Sequence, residues 1–216
     1  MEFLGISVDP NSQKLYLVVE LMERGTLRDV LEKKKANLTW GMRVKLASDA
    51  AKGMVYLHSR NIIHRDLKPD NLLVATNWVC KVADFGISTV SSRTTQMTCI
   101  GTPVYMAPEV LLKNKYSMKA DVYSFGVVIL QIFTDEIPYS GPHANLNQAQ
   151  LMYKIVHEGL RPDIRSAPTA VQQLIQDCWE DEDRLRPSFA EILVRLRRLR
   201  KDKCKPNAPD LSFTIN

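Results

Sequence analysis

The chain has 216 residues, of which 45% are hydrophobic and 25% are charged, with a formal net charge of +5 at pH 7. These values predict one soluble globular domain with a sizeable core. Residues 125–133, the longest strongly apolar stretch, are far fewer than the roughly 20 residues of a membrane helix, which excludes a membrane span.

The first residues show no secretory-signal pattern, so we expect a cytoplasmic protein, with the nucleus as the alternative compartment. The four cysteines have no C-x-x-C spacing, which argues against a zinc site and a disulfide framework. They are expected to be reduced thiols: Cys80, Cys99, Cys178 and Cys204.

The first predicted elements are two strands, over residues 3–8 and 14–20, joined by the turn Asp9-Pro10-Asn11-Ser12. After Gly25 the pattern becomes helical. Apolar or small side chains then recur at steps of four, three and four, which predicts a packed helix between residues 40 and 58. The positions in this stripe are Leu46, Ala50, Gly53 and Leu57.

Two short β-rich runs, residues 72–74 and 79–82, flank Thr76-Asn77 and predict a second hairpin. Beyond Glu109 the chain is predicted to be helical. Residues 122–133 are apolar almost all round, as in a helix at the centre of a domain. The last predicted helix opens with Ser188 and Glu191 at capping-box spacing. A mainly helical α+β domain is therefore expected.

The positive charge is concentrated near the C-terminus. Between residues 195 and 205, seven basic residues stand against one acidic residue. A solvated helix end and a disordered tail over residues 201–216 explain this most simply, because cations suit a helix C-terminus. The alternative is a docking or nuclear-import patch. Specific nucleic-acid binding is not expected.

One segment carries residues suited to phosphoryl transfer. It reads His64-Arg65-Asp66-Leu67-Lys68-Pro69-Asp70-Asn71, and Asp84-Phe85-Gly86 follows thirteen residues after its end. Phosphoryl transfer requires a carboxylate to orient the attacking hydroxyl, a cation near the phosphate, and oxygen ligands for Mg²⁺. Asp66, Lys68, Asn71 and Asp84 offer these groups.

The order of the later motifs resembles the protein kinase family. After the Asp84 triplet come Gly101-Thr102-Pro103-Val104-Tyr105-Met106-Ala107-Pro108-Glu109, then Asp121-Val122-Tyr123-Ser124-Phe125-Gly126, Cys178-Trp179 and Arg186-Pro187. The resemblance covers residues 3–199. It implies a protein-kinase-like α+β fold over residues 1–200, with a small-lobe remnant and hinge (1–24) and a helical large lobe (25–200).

The resemblance also implies roles for individual residues, with ATP and Mg²⁺ as cofactors and proteins as substrates. Asp66 resembles the catalytic aspartate, and Lys68 the lysine beside the γ-phosphate. Asn71 and Asp84 resemble the two Mg²⁺ ligands.

The hinge that binds adenine resembles Glu20-Leu21-Met22, with Val19 at the rear pocket and Leu73 as the apolar floor. Ordinary strand and core packing is the alternative interpretation of these apolar positions.

Other motifs indicate the subgroup and its regulation. Lys68 and Gly101-Thr102 resemble the serine/threonine-specific pattern, whereas Cys178-Trp179 is shared with tyrosine kinases. The combination resembles the tyrosine-kinase-like group, whose members mostly phosphorylate serine and threonine in signal transduction. Arg65 is expected to pair with a phosphate on the loop after Gly86, and the candidate phosphorylation sites there are Thr94, Thr95 and Thr98.

Three further residues are expected to be structural. Glu109 and Arg186 resemble the family's buried ion pair, and Asp121 belongs to the conserved motif of the central helix.

The family's glycine-rich loop and ATP-binding lysine have no counterpart in this sequence. The nine glycines are never closer than twelve positions apart. Two explanations remain open: an incomplete copy of an active kinase, or a non-catalytic remnant that acts as a protein-binding module. For these 216 residues alone we expect weak Mg-ATP binding and strongly reduced catalysis.

Overall fold

A computed structural model describes residues 2–32, 37–84, 89–90, 103–113 and 115–202, without the side chains of residues 89–90 and 201–202. The strands are β1 (Phe3–Val8), β2 (Leu15–Val19), β3 (Ile62–Ile63), β4 (Leu72–Val74), β5 (Cys80–Val82) and β6 (Thr89–Val90). The helices are α1 (Leu27–Glu32), α2 (Trp40–Ser59), α3 (Pro108–Lys113), α4 (Met118–Thr134), α5 (Gln148–His157), α6 (Thr169–Cys178) and α7 (Phe189–Asp202). Short 3₁₀ turns lie at Pro69–Asn71 and Pro103–Tyr105.

The described strands form three small antiparallel pairs. β1 pairs with β2 and β4 with β5, as the sequence predicts. The pairing of β3 with β6 was not predicted. The apolar side chains of the β1–β2 hairpin are largely exposed, with Leu15 at 71% and Leu17 at 72%, so this hairpin lies outside the main core.

The core of the described residues is built around α4, which is buried almost all round. Its N-terminus is fixed by Ser117, whose Oγ accepts a hydrogen bond from Ala120 N at 3.2 Å. α2 and α6 pack against α4, and α7 packs against α2. The two ends of α2 lie at opposite ends of α7, because Trp40 Nε1 donates to Leu199 O at 3.1 Å and His58 packs on Phe189 with ring centroids 5.0 Å apart.

The predicted helices and hairpins thus have their expected positions, and the mainly helical α+β class is confirmed. α2 covers the predicted range, and α4 extends beyond its predicted ends. The predicted capping box at the start of α7 is present, because Ser188 N donates to Glu191 Oε2 at 2.7 Å and Glu191 N donates to Ser188 Oγ at 3.3 Å. None of the described helices combines the length and the apolar character that crossing a membrane requires.

Candidate active site

Asp121 anchors the backbone at the start of the candidate catalytic segment, residues 64–71. It lies in the first turn of α4 and is 1% exposed. Its Oδ2 accepts from His64 N at 2.9 Å and from His58 Nε2 at 2.9 Å, and its Oδ1 accepts from Arg65 N at 2.9 Å. A buried carboxylate requires such donors. Here they tie residues 64–65 to the most deeply buried helix.

His64 connects this segment to the strand end that precedes Asp84. Its side chain is fully buried. Nε2 lies 3.0 Å from Ala83 O, and Nδ1 lies 3.3 Å from Asp66 N. A carbonyl oxygen can only accept and a backbone N–H can only donate, so these partners assign the proton to Nε2. His64 therefore joins Asp66 to the chain beside Asp84.

Two residues of the segment have left-handed backbone conformations. Arg65 has φ 71° and Asp84 has φ 58°. Such a conformation costs a side-chain-bearing residue about 1 to 3 kcal/mol, and it occurs mainly where the surrounding structure enforces it. The Asp121 and His64 hydrogen bonds supply that enforcement around Arg65.

The carboxylate of Asp66 is held by two neighbours on the same loop. Its Oδ2 accepts from Lys68 Nζ at 2.7 Å and from Asn71 Nδ2 at 2.9 Å. Asn71 Nδ2 also donates to Asp66 O at 2.7 Å. Asp66 and Lys68 are 14% and 19% exposed, so the carboxylate is oriented and still reachable. Because Nδ2 of Asn71 is engaged with Asp66, Oδ1 is the amide atom suited to a cation.

Asn71 and Asp84 lie at the same end of the β4–β5 hairpin. Leu72 pairs with Val82, and Ala83 N donates to Asn71 O at 2.9 Å. An amide oxygen and a carboxylate fit Mg²⁺, which takes few protein ligands and completes its shell with phosphates and water. Among the described residues no group of three or more His, Cys, Asp or Glu side chains could hold a metal.

The segment that follows the predicted hinge, residues 24–26, packs against β4. Arg24 N donates to Val74 O at 3.0 Å and Val74 N donates to Gly25 O at 2.9 Å, while Thr26 bridges to Leu73. Gly25 has φ 75°, and an added Cβ would lie 2.8 Å from Asp29 Oδ2, which explains a glycine at this turn. The segment that follows the hinge is thus joined to the strand that carries Leu73.

The predicted hinge residues differ in their environments. Glu20 accepts from Lys81 Nζ at 2.7 and 2.8 Å, and this bond lowers the pKa of Glu20. Met22 is buried, whereas Val19 is 36% exposed. Lys81 is the strand partner of Leu73, so Glu20 lies beside the predicted floor of the pocket.

The predicted regulatory residues are only partly described. Arg65 Nε is buried and has no hydrogen-bond partner within the described part of the chain, and the guanidinium lies 5.4 Å from the centroid of the Tyr116 ring. Thr94, Thr95 and Thr98 lie outside the described residues.

Glu109 and Arg186 form a bidentate ion pair. Arg186 Nη1 lies 2.6 Å from Glu109 Oε1, and Nη2 lies 3.0 Å from Glu109 Oε2. The Arg186 side chain is fully buried and that of Glu109 is 19% exposed. The pair ties α3 to the segment before α7.

Two contacts of the site were missed from the sequence. Arg28 of α1 pairs with Asp70 of the catalytic segment at 2.7 Å, and His58 shares the Asp121 carboxylate. His58 stands at the end of the predicted α2, and its nearness to His64 in the chain was the available signal. No local pattern links Arg28 to a residue 42 positions away.

Comparison with known proteins agrees with this geometry. The family model for protein tyrosine and serine/threonine kinases matches residues 1–196. The chain is 44% identical to the Dictyostelium discoideum protein named "Probable serine/threonine-protein kinase drkD", over 88% of this chain and 14% of that protein. It is 40% identical to Arabidopsis thaliana serine/threonine-protein kinase STY17, over 92% of this chain and 34% of STY17. The chain thus spans 14% of the length of one of these relatives and 34% of the other.

Proposed function

This chain belongs to the protein tyrosine and serine/threonine kinase family, and from that premise we propose that it carries the phosphoryl-transfer centre of a serine/threonine protein kinase. In the proposed reaction the hydroxyl oxygen of a substrate serine or threonine bonds to the γ-phosphorus of ATP. The bond from that phosphorus to the β,γ-bridging oxygen breaks, and ADP leaves. The hydroxyl proton passes to Asp66.

The arrangement of Asp66, Lys68 and Asn71 is the observation that carries this proposal. Asp66 is fixed by Lys68 Nζ at 2.7 Å and Asn71 Nδ2 at 2.9 Å, so its other oxygen, Oδ1, is the atom we assign to the substrate hydroxyl. A carboxylate held in this way orients the hydroxyl and accepts its proton as the bond to phosphorus forms. Lys68 places a positive charge 2.7 Å from Asp66 Oδ2, beside the proposed position of the transferring phosphate.

We assign Asn71 Oδ1 and the Asp84 carboxylate as the protein ligands of Mg²⁺. When bound, Mg²⁺ neutralises charge on the phosphate oxygens. The left-handed backbone of Asp84 and the hydrogen bond from Ala83 N to Asn71 O support a fixed spacing of the two ligands.

The adenine of ATP is assigned to the segment Val19, Glu20 and Met22, with Leu73 as its floor. The packing of residues 24–26 on β4 supports this assignment. Glu20 is oriented by Lys81, so the backbone groups beside it are the proposed hydrogen-bonding partners of the base.

We further propose that phosphate on Thr94, Thr95 or Thr98 pairs with Arg65. The buried Arg65 Nε, which has no hydrogen-bond partner within the described residues, supports this role. Mass spectrometry of active protein is the test, and an unmodified segment in fully active protein would contradict the proposal.

The cytoplasm is the proposed compartment. Cys80 and Cys178 are buried free thiols, which suits a reducing environment. The lobe boundary near residue 24 and a docking role for residues 201–216 remain predictions from the sequence.

The decisive experiment compares the full-length native protein, including any residues outside these 216, with its Asp66→Asn variant and a control, Asp163→Asn. Asp163 is 48% exposed and pairs with Arg165 at the surface. With labelled ATP and a mixed protein substrate, we expect phosphoserine and phosphothreonine from wild type and the control. We expect at least a thousandfold loss in Asp66→Asn at an unchanged melting temperature.

Equal activity of Asp66→Asn and wild type would refute the assignment of Asp66. Phosphotyrosine as the main product would refute the serine/threonine specificity. Folded wild-type protein that transfers no phosphate would instead favour the alternative, a non-catalytic binding module.

A further inference from the structure

Arg28 of α1 forms an ion pair with Asp70 of the candidate catalytic segment. Its Nε donates to Asp70 Oδ1 at 2.7 Å, and its Nη2 donates to Asp70 Oδ2 at 2.8 Å. Two parallel hydrogen bonds between planar groups fix orientation as well as distance. Asp70 is the middle residue of the Pro69–Asn71 turn, so the ion pair acts directly beside Asn71.

Asn71 in turn contacts Asp66, the proposed catalytic carboxylate. Its Nδ2 donates to Asp66 O at 2.7 Å and to Asp66 Oδ2 at 2.9 Å. The turn that Arg28 holds is therefore in direct contact with the group assigned to the substrate hydroxyl.

The turn that Arg28 holds also carries Asn71, the proposed Mg²⁺ ligand. Among the described ion pairs this one joins α1 to the catalytic segment, and both side chains remain about one-third exposed, at 31% and 37%.

An ordinary surface ion pair is the simpler interpretation of such exposure, since exposed pairs contribute little to stability. Two observations argue for more. The contact is bidentate, and it holds a turn whose last residue, Asn71, is 7% exposed and hydrogen-bonded to Asp66.

We propose that Arg28 is a positioning residue for phosphoryl transfer, which fixes the Pro69–Asn71 turn against α1. The inference rests on the proposed function, because its kinetic effect requires that function. Arg28 acts through Asp70 and touches no reacting atom. Its loss displaces Asn71 relative to Asp66 and lowers the rate of the chemical step.

The test uses the full-length protein with Arg28→Met, Arg28→Lys, Asp70→Asn and the double variant Arg28→Met/Asp70→Asn. Arg43→Met is the matched control, because Arg43 makes an equally bidentate pair with Asp135, at 2.8 and 2.5 Å, on other elements. We expect kcat to fall about tenfold in Arg28→Met, equivalent to about 1.4 kcal/mol in the activation barrier. The KM for ATP should change less than twofold.

Arg28→Lys keeps the positive charge but loses the planar guanidinium that makes two hydrogen bonds. Its kcat should therefore lie between those of wild type and Arg28→Met. The kcat of the double variant should be no lower than that of Arg28→Met, because both substitutions remove the same contact, between Arg28 and Asp70. Unchanged kcat in folded Arg28→Met, additive losses in the double variant, or an equal kcat loss in Arg43→Met would each overturn the proposal. If Arg28→Met does not fold, Arg28→Lys decides in its place.

Amide hydrogen exchange separates this proposal from the proposed function. In Arg28→Met, but not in Arg43→Met, exchange should accelerate at residues 70–72. This readout requires no catalysis, so it decides the role of Arg28 even if wild-type protein transfers no phosphate. Exchange at this turn that matches wild type would overturn the proposal.

Discussion

Replacing Arg186 by alanine should destabilise the protein before it impairs the chemistry. The Arg186 side chain is fully buried. It donates to both Glu109 oxygens at 2.6 and 3.0 Å, to Glu180 O at 2.8 Å and to Lys119 O at 3.0 Å. The substitution would leave a mostly buried carboxylate and two backbone carbonyls without this partner.

The expected loss follows from these contacts. Removing one member of a buried ion pair costs about 3 to 5 kcal/mol. Glu109 remains 19% exposed and can bind water, which favours the lower end of this range for the ion pair. The two carbonyls that lose their donor add to the loss of unfolding free energy. A domain has about 5 to 15 kcal/mol of unfolding free energy, so the variant keeps a much smaller margin. For a chain of this size the melting temperature should fall by about 6 to 20 °C.

Thermal unfolding followed by circular dichroism measures this effect. Arg184→Ala is the control, because Arg184 is 79% exposed and pairs with Glu182 at the surface; its melting temperature should stay within about 2 °C of wild type. Below its own transition, Arg186→Ala should keep most of its specific activity per folded molecule. Normal melting together with abolished activity would refute the reasoning, since it would place Arg186 in the chemistry rather than in the fold.

Two further predictions concern packing and pH. Gly53→Ala should destabilise the protein by about 1 to 3 kcal/mol, because the added Cβ would lie 2.6 Å from Val82 Cγ2. This clash should outweigh the usual preference for alanine in a helix interior. Denaturant unfolding that shows a more stable variant would contradict the prediction. The hydrogen bond from Arg28 lowers the pKa of Asp70 from its usual 3.8, so the pair stabilises the fold above about pH 4 and loses this effect as pH falls through the lowered pKa. The unfolding free-energy difference between wild type and Asp70→Asn should therefore be constant from pH 7 to pH 5 and shrink below pH 4, and a difference that grows on acidification would contradict the assignment.

Local periodicity was enough to predict most of the elements. The stripe of Leu46, Ala50, Gly53 and Leu57 marks the face of α2 that lies mostly in the core, because burial in a helix repeats with the helical period. The apolar run over residues 122–133 likewise indicates the buried α4. Each signal is contained within one element and requires no knowledge of its neighbours.

Pairings between distant segments had no such signal. β3 and β6 have two residues each, which is too short for an alternating pattern to stand out from its surroundings. The Arg28–Asp70 contact joins two charged residues that are 42 positions apart. Charged residues usually lie at the protein surface, so the sequence gives no sign that these two are paired. Only the fold, which brings α1 against the Pro69–Asn71 turn, distinguishes this pair from the many charges that face solvent.

For the candidate site, too, the sequence indicated the residues but not the distant contacts that hold them. The identities of Asp66, Lys68, Asn71 and Asp84 were available from the order of the motifs, whereas the means of holding them were not. Asp121 is 55 positions from Asp66, yet its carboxylate fixes the backbone on which Asp66 depends. His64 couples that backbone to Ala83, the neighbour of Asp84. A change at Asp121 or His64 should therefore impair both halves of the site together, because Asp121 fixes the backbone that leads into the proposed catalytic carboxylate and His64 couples that backbone to Ala83, beside a proposed Mg²⁺ ligand.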